Sequence, residues 1–275
     1  MMIQVQLDEI MIKAGLNRTR AMEELAFSCI DLTTLNASDT RSHVQAFTVR
    51  VNDFDNDYPS LPNVAAICVY PNMVQHVKEV LTSDQVRIAA VAGGFPSSMT
   101  FIGIKVEEAV MAVDAGADEI DIVLPLWAFL EGDLITCREE IGTIKKAIGD
   151  AHLKVILETG ILGEPDKIYK ASMLAMESGA DFIKTSTGKV SPAATPVAAL
   201  VMCQAIHDFH MKTGRMVGFK PAGGIATTND AIMYLTIVKE VLGEKWLKPG
   251  WFRIGASRLA NHLLTDILDE EVNYF

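Results

Sequence analysis

Two lysines stand at the ends of short apolar runs and lead directly into small residues. Lys184 lies in DFIKTSTGK and Lys220 in VGFKPAGGI. An ammonium at the end of a buried strand is costly to desolvate. A second ammonium beside it adds repulsion, so one of two such amines is driven toward its neutral, nucleophilic form near pH 7. A neutral amine in that place is what Schiff-base chemistry on a carbonyl requires. Other apolar runs carry further reactive side chains: Asp31 in FSCIDL, Cys68 in VAAICVY, Asp121 in EIDIVL, Lys154 with Glu158 in LKVILET, and Ser257 in WFRIGAS. A single buried charge is ordinarily half of a structural ion pair. Charges of both signs on several strands point instead to a catalytic centre.

The elements that must hold these residues are legible in the pattern of the chain. Strand-like and helix-like segments alternate eight times, with strands expected over 27–32, 64–70, 86–93, 119–124, 153–159, 181–186, 216–221 and 251–257. These runs are short, rich in Val and Ile, and apolar on both faces, as parallel strands buried on both sides are. Between them, Val106, Val110 and Val113 recur at helical spacing before Gly116, and Ile168, Ala171 and Ala175 do so before Gly179. The phrases AGADEIDIV (115–123) and SGADFIKT (178–185) repeat one device: a glycine that ends a helix, then an aspartate that enters the next strand. A βα period of about 30 residues, repeated eight times, implies a single (β/α)₈ TIM barrel over 1–275. About 1–25 form an N-terminal helical extension, placed to plug the bottom of the barrel, and about 259–275 form the last helix and a tail. A doubly wound open sheet is the alternative. It calls for a glycine-rich turn after the first strand, where this chain has the helix-capping sequence TTLNASDT.

Composition narrows the function. The hydrophobic fraction of 49% supports a real core, and the net charge of −11 lacks the basic face that nucleic-acid binding needs. Such a protein can still hold an anionic small molecule with backbone N–H groups and one or two lysines. Cys29, Cys68, Cys137 and Cys203 form no CxxC pair and fit neither a zinc site nor a disulfide framework. Free thiols suit a cytoplasmic chain. No apolar run reaches the length of a membrane span, and MMIQVQLDEIMIKAG is not a secretory signal. The six histidines lie mainly in helical or loop segments, so no metal and no cofactor is expected.

In order along the chain, IDLTTL, AAICVYP, GADEIDIV, LKVILETG, GADFIKTSTGK and VGFKPAGGI resemble the deoxyribose-phosphate aldolase family, from about residue 26 to 257. That resemblance implies a class I aldolase of deoxyribonucleotide catabolism. It would cleave 2-deoxy-D-ribose 5-phosphate reversibly to D-glyceraldehyde 3-phosphate and acetaldehyde, without a metal. Another Schiff-base sugar-phosphate aldolase of the same barrel class is the alternative. By the resemblance Lys184 is the imine-forming nucleophile and Lys220 the cation that lowers its pKa. Asp121 works with a water as proton relay, Lys154 orders that relay, and Asp31 holds Lys154. A homo-oligomer, a dimer by resemblance, is implied as well.

The turns TSTGK (185–189), PAGGI (221–225) and IGAS (254–257) are rich in glycine and hydroxyl groups and follow the last three strands, where barrels often bind phosphate. The resemblance assigns Thr187, Gly188, Lys189, Gly223, Gly224 and Ser257 to that task. Arg258 stands where relatives carry a small hydroxyl residue, so a guanidinium here can add charge to the phosphate end. Cys68, one strand away, is a candidate contact, although its thiol reads first as a small buried residue. The terminal EEVNYF departs in length from relatives, which leaves Tyr274 without an assigned role.

Overall fold

A computed structural model describes residues 2–275. Two helices, α1 (Met2–Asn17) and α2 (Arg20–Ser28), precede the first strand. The strands are β1 (Ile30–Thr33), β2 (Ala66–Val69), β3 (Arg87–Val91), β4 (Glu119–Val123), β5 (His152–Ile156), β6 (Phe182–Lys184), β7 (Gly218–Lys220) and β8 (Ile254–Ala256). The helices between and after them are α3 (Arg41–Asp57), α4 (Val74–Lys78), α5 (Ile102–Asp114), α6 (Leu126–Glu131), α7 (Leu134–Ala147), α8 (Thr159–Leu162), α9 (Pro165–Glu177), α10 (Pro196–Thr213), α11 (Thr228–Leu242) and α12 (Leu259–Leu268).

All neighbouring strands pair in parallel in the order β7-β6-β5-β4-β3-β2-β1-β8. The remaining gap is bridged at Phe219 with Phe252 and at Ala222 with Gly255, which closes the (β/α)₈ barrel. Every one of the eight apolar runs overlaps its strand, with β1 reaching one residue beyond its run at Thr33 and β5 starting one residue early at His152. The structural strands are shorter than those runs because the ends of each run turn away from the ladder.

The repeated glycine–alanine–aspartate phrase does the same work twice. Gly116 and Gly179 take positive φ of 112° and 108° beyond α5 and α9. The following aspartates then accept from strand N–H groups: Asp118 from Ile88 at 2.9 Å, and Asp181 from Leu153 at 2.8 Å. Each fixes the register at which a strand enters the barrel. Helix starts are equally local. Thr40 caps α3, Thr195 with Pro196 starts α10, and Thr227 with Asp230 forms a capping box on α11.

The N-terminal helices do not plug the barrel from below. α1 lies across the outer layer against α10 and α11, tied by Asn17 to Thr236 at 3.2 Å and by Gln204 to Gln6 at 3.0 Å. α2 packs against α11 and α12. Among the described residues no helix is long and apolar enough to cross a membrane.

Candidate active site

Inward-facing positions of a barrel are ordinarily aliphatic. Here they carry charge. Asp31 comes from β1, Glu119 and Asp121 from β4, Lys154 from β5, Lys184 from β6 and Lys220 from β7, with Arg253 entering just ahead of β8. Register places Asp121 beside Lys154 and Lys184 beside Lys220. Gly218 leaves room for this interior, because a Cβ there would stand 2.2 Å from the Phe182 ring.

The groups form a column. At its base Arg253 donates to Asp31 at 2.6 Å and to Glu119 at 2.7 Å. Lys154 meets Glu119 at 2.6 Å and Asp121 at 2.9 Å. At the top, one oxygen of Asp121 accepts from both Lys184 and Lys220, each at 2.8 Å. Asp31 lies deeper than a strand-end residue, and its role differs from the expected one. Its near partners are Arg253 and Lys220, the latter at 2.5 Å, while Lys154 is 3.5 Å away. Asp31 therefore holds Lys220 first and Lys154 only loosely.

This asymmetry decides between the two amines, which the sequence alone leaves open. Burial disfavours the charged form of both. For Lys220, Asp121 and Asp31 together overcome burial and raise its pKa. Lys184 has Asp121 alone, and Lys220 repels it, so burial prevails and its pKa falls. Burial likewise opposes ionisation of Asp31 and Asp121, yet the surrounding lysines win and hold both carboxyls well below the usual range. Three carboxylates thus face four basic groups, so one cation is in excess. The proton most easily lost is the one on Lys184.

Lys184 is also the member that reaches the open. It lines a cavity of about 600 Å³ at the C-terminal ends of the strands, whereas Lys220, Lys154 and Asp31 lie beneath the cavity surface. Thr187, Gly188, Lys189, Gly223, Gly224, Ser257 and Arg258 line the same cavity. No Asp or Glu side chain among the described residues lines it, although the chain carries 35 acidic residues. Cys68 does not reach it. That thiol is buried among Leu35, Ala66, Ala89 and Val91, and burial pushes its pKa up. Among the described residues no three His, Cys, Asp or Glu side chains group to hold a metal ion.

The glycine-rich turns are stitched together behind the cavity. Gly188 and Gly223 have φ of 77° and 88°, and a Cβ on Gly223 would stand 3.1 Å from the Cα of Gly188. Thr185 accepts from the Ala222 N–H at 2.9 Å and donates to the Ala222 carbonyl at 3.1 Å. Glu158 shapes the first turn. It is buried, has φ of 52°, and takes both the N–H of Thr187 at 3.2 Å and its hydroxyl at 2.5 Å. The Thr187 oxygen in turn accepts from the Lys189 N–H at 3.1 Å. The Lys189 ammonium reaches across to the Leu35 carbonyl at 2.5 Å. Ser257 and Arg258 are exposed just ahead of α12, whose first turn has no side-chain cap.

Sequence reasoning missed several of these groups. Glu119 and Arg253 sit inside runs that read as strand core. His43, Phe47 and Arg50 line the cavity from α3, and their spacing on one helical face is the signal that marks them. Tyr274 turns away, donating to Asp57 at 2.7 Å and packing on Phe54 and Tyr58. The neighbouring Phe275 lines the cavity instead.

Comparison with known proteins agrees with this geometry. Residues 25–240 match the model of the DeoC/LacD family aldolases. The deoxyribose-phosphate aldolase of Bos taurus is 45% identical over 244 residues, covering 85% of this chain and 77% of that protein. The deoxyribose-phosphate aldolase of Homo sapiens is 44% identical over 248 residues, covering 86% and 78%. Among solved structures, an aldolase named QR15 superposes with a TM-score of 0.71 at 28% identity, covering 89% of this chain and 98% of its own.

Proposed function

The chain belongs to the DeoC/LacD aldolase family, and from that premise we propose that it cleaves 2-deoxy-D-ribose 5-phosphate reversibly through an imine on Lys184. The observation that carries this reading is the placement of Lys184. It is the one inward lysine that opens into a cavity without Asp or Glu side chains, and it sits atop a network with one cation in excess.

The neutral amine of Lys184 adds to the C1 aldehyde of the open-chain sugar. Loss of water gives an iminium, which draws electrons from the chain it has joined. The C3 hydroxyl gives up its proton, the C2–C3 bond breaks, and its electron pair forms an enamine on Lys184. D-Glyceraldehyde 3-phosphate departs. The enamine carbon then takes a proton, and water releases acetaldehyde and the free amine. Asp121, 2.8 Å from the Lys184 nitrogen, moves these protons with a bound water. Lys154 and Lys220 hold Asp121 from the sides away from the cavity, and Asp31 holds Lys220. The glycine turns and the open first turn of α12 direct N–H groups at the phosphate ester. Thr187, Gly188, Lys189, Gly223, Gly224, Ser257 and Arg258 form this end. Cys68 has no part in it.

The reaction suits deoxyribonucleotide catabolism. Four free, buried cysteines support a cytoplasmic setting. Met99, Phe101, Ile104 and Met111 are exposed around the start of α5 and support a homo-oligomer, a dimer in our reading. Light scattering of the purified protein tests the last point.

Incubation with acetaldehyde and borohydride, followed by intact mass and peptide mapping, tests the central assignment. One reduced two-carbon adduct on Lys184 is expected, and Lys184→Ala loses both adduct and turnover. A full adduct on another lysine in that variant refutes it. Product analysis with deoxyribose 5-phosphate separates this activity from other Schiff-base sugar-phosphate aldolases.

A further inference from the structure

Arg50 lies on α3, on the same helical face as His43 and Phe47, and lines the cavity that also holds Lys184 and Arg258. Other arginines of this acidic chain, Arg18, Arg20, Arg87, Arg138 and Arg253, each meet a carboxylate. Among the described residues Arg41, Arg50, Arg215 and Arg258 meet none; Arg215 donates to the Met176 and Ala180 carbonyls, and of the four Arg50 and Arg258 line the cavity.

The surroundings of Arg50 show why it stays in place without a partner. β1 and β8 are paired, so the helices that follow them, α3 and α12, flank one side of the cavity. The chain's last residues span these two helices. Asn261 of α12 accepts from the Phe275 N–H at 3.0 Å, and the Phe275 ring stacks on Phe54 of α3 with centroids 5.7 Å apart. Phe54 is one helical turn beyond Arg50. On its other side, the Arg50 guanidinium lies 5.9 Å from the Phe47 ring centroid. The Nε of Arg50 is buried, and it has no hydrogen-bond partner. Buried donors are nearly always satisfied. The rest of this permanent cation lines the cavity, where no Asp or Glu side chain meets it, so an anionic ligand is its missing acceptor.

We propose that Arg50 is a specificity-determining residue that grips the substrate's phosphate ester from the α3 side, while Arg258 does so from the α12 side. This rests on the sugar-phosphate reading above. The glycine turns supply neutral N–H donors, and the Lys189 ammonium spends one of its three donors on the Leu35 carbonyl. The two unpaired guanidinium groups add to its single charge what a phosphate dianion still needs. Each offers a planar fork that matches two phosphate oxygens. Arg50 thus makes the enzyme select phosphorylated over unphosphorylated aldoses.

Arg50→Gln and Arg50→Lys test the assignment. In Arg50→Gln, kcat/KM for deoxyribose 5-phosphate falls about tenfold, mainly through KM, while that for unphosphorylated deoxyribose changes far less. Arg50→Lys recovers part of the loss, because it restores charge without the fork. Inorganic phosphate, used alone as a probe, raises the wild-type melting temperature. Its half-saturating concentration rises in Arg50→Gln by a similar factor. Acetaldehyde trapping at Lys184 involves no phosphate and continues in both variants. Absence of trapping in the wild type would defeat the Schiff-base reading, separately from this one. Equal losses on both sugars, or none on either, overturn the role of Arg50. A lost response to phosphate with unchanged KM overturns it too, since the anion would then sit away from the substrate.

Discussion

The interior of the barrel and the rim of its cavity treat charge in opposite ways. Inside, each carboxylate meets at least two bases, and the seven groups form one connected column. At the rim, Arg50 and Arg258 stand without acids, and the turns beside them present backbone N–H groups. The interior completes its own electrostatics and leaves one proton loosely held. The rim leaves its electrostatics to be completed by substrate. A buried charge must be paired within the protein, because breaking one pair costs about 3–5 kcal/mol. A rim charge keeps part of its surface open to water while it waits, so it can be kept for a ligand at less cost than a fully buried one. Changes in the interior should therefore alter rate and pH dependence, while changes at the rim should alter the discrimination between phosphorylated and unphosphorylated substrates.

The largest departure from this division would come from Asp121. Asp121→Asn removes the carboxylate shared by both lysines but keeps a group that can hold a water. Imine formation should survive, and exchange of the acetaldehyde methyl protons with deuterium oxide should slow by about 10²–10⁴-fold. Uptake at the wild-type rate, followed by NMR, would remove Asp121 from proton transfer.

Glu158 lies on the boundary between the two regions and sharpens the comparison. It is buried like the interior groups but acts on the rim, through Thr187. Glu158→Ala frees the Thr187 N–H and hydroxyl, a loss of about 1.5–3 kcal/mol for hydrogen bonds to a carboxylate. KM for deoxyribose 5-phosphate should rise about tenfold, with a smaller change for unphosphorylated deoxyribose. A fall in kcat alike on both sugars would place Glu158 with the reacting groups.

Arg258→Ser should have the smallest effect. Its guanidinium is exposed, and water screens the contribution of such groups. KM for the phosphorylated sugar should rise a few-fold and that for deoxyribose should hold. Equal effects on both substrates, or none, would assign Arg258 to the outer surface.

The fold was legible because each strand is a short apolar run and each glycine–alanine–aspartate phrase is a local device. The lysines were legible because a charge inside such a run stands out. The partners of Lys220 and Arg253 were not, since Asp31 lies 189 and 222 residues away in the chain and meets them only when β1 and β8 pair to close the barrel. The family resemblance accordingly assigns Asp31 to Lys154, and Arg253 reads as part of a strand. Arg50 was hidden for a different reason. An arginine on a helix face is ordinarily solvated, and only the folded structure shows that this one has a buried Nε and lines the cavity.

Lys184 has the loosely held proton because Asp31 and Asp121 together secure the one on Lys220. The direct measurement is the rate of borohydride-trapped adduct formation with acetaldehyde as a function of pH, in the wild type and in Lys220→Leu. Without Lys220 the interior holds three carboxylates and three bases, so Lys184 gains the full attraction of Asp121 and loses its repelling neighbour. Its pKa rises, and the amine is neutral only at higher pH. The acidic limb of the profile should move to higher pH, with the rate partly recovered there and the adduct still on Lys184. An acidic limb unchanged from the wild type would contradict the claim.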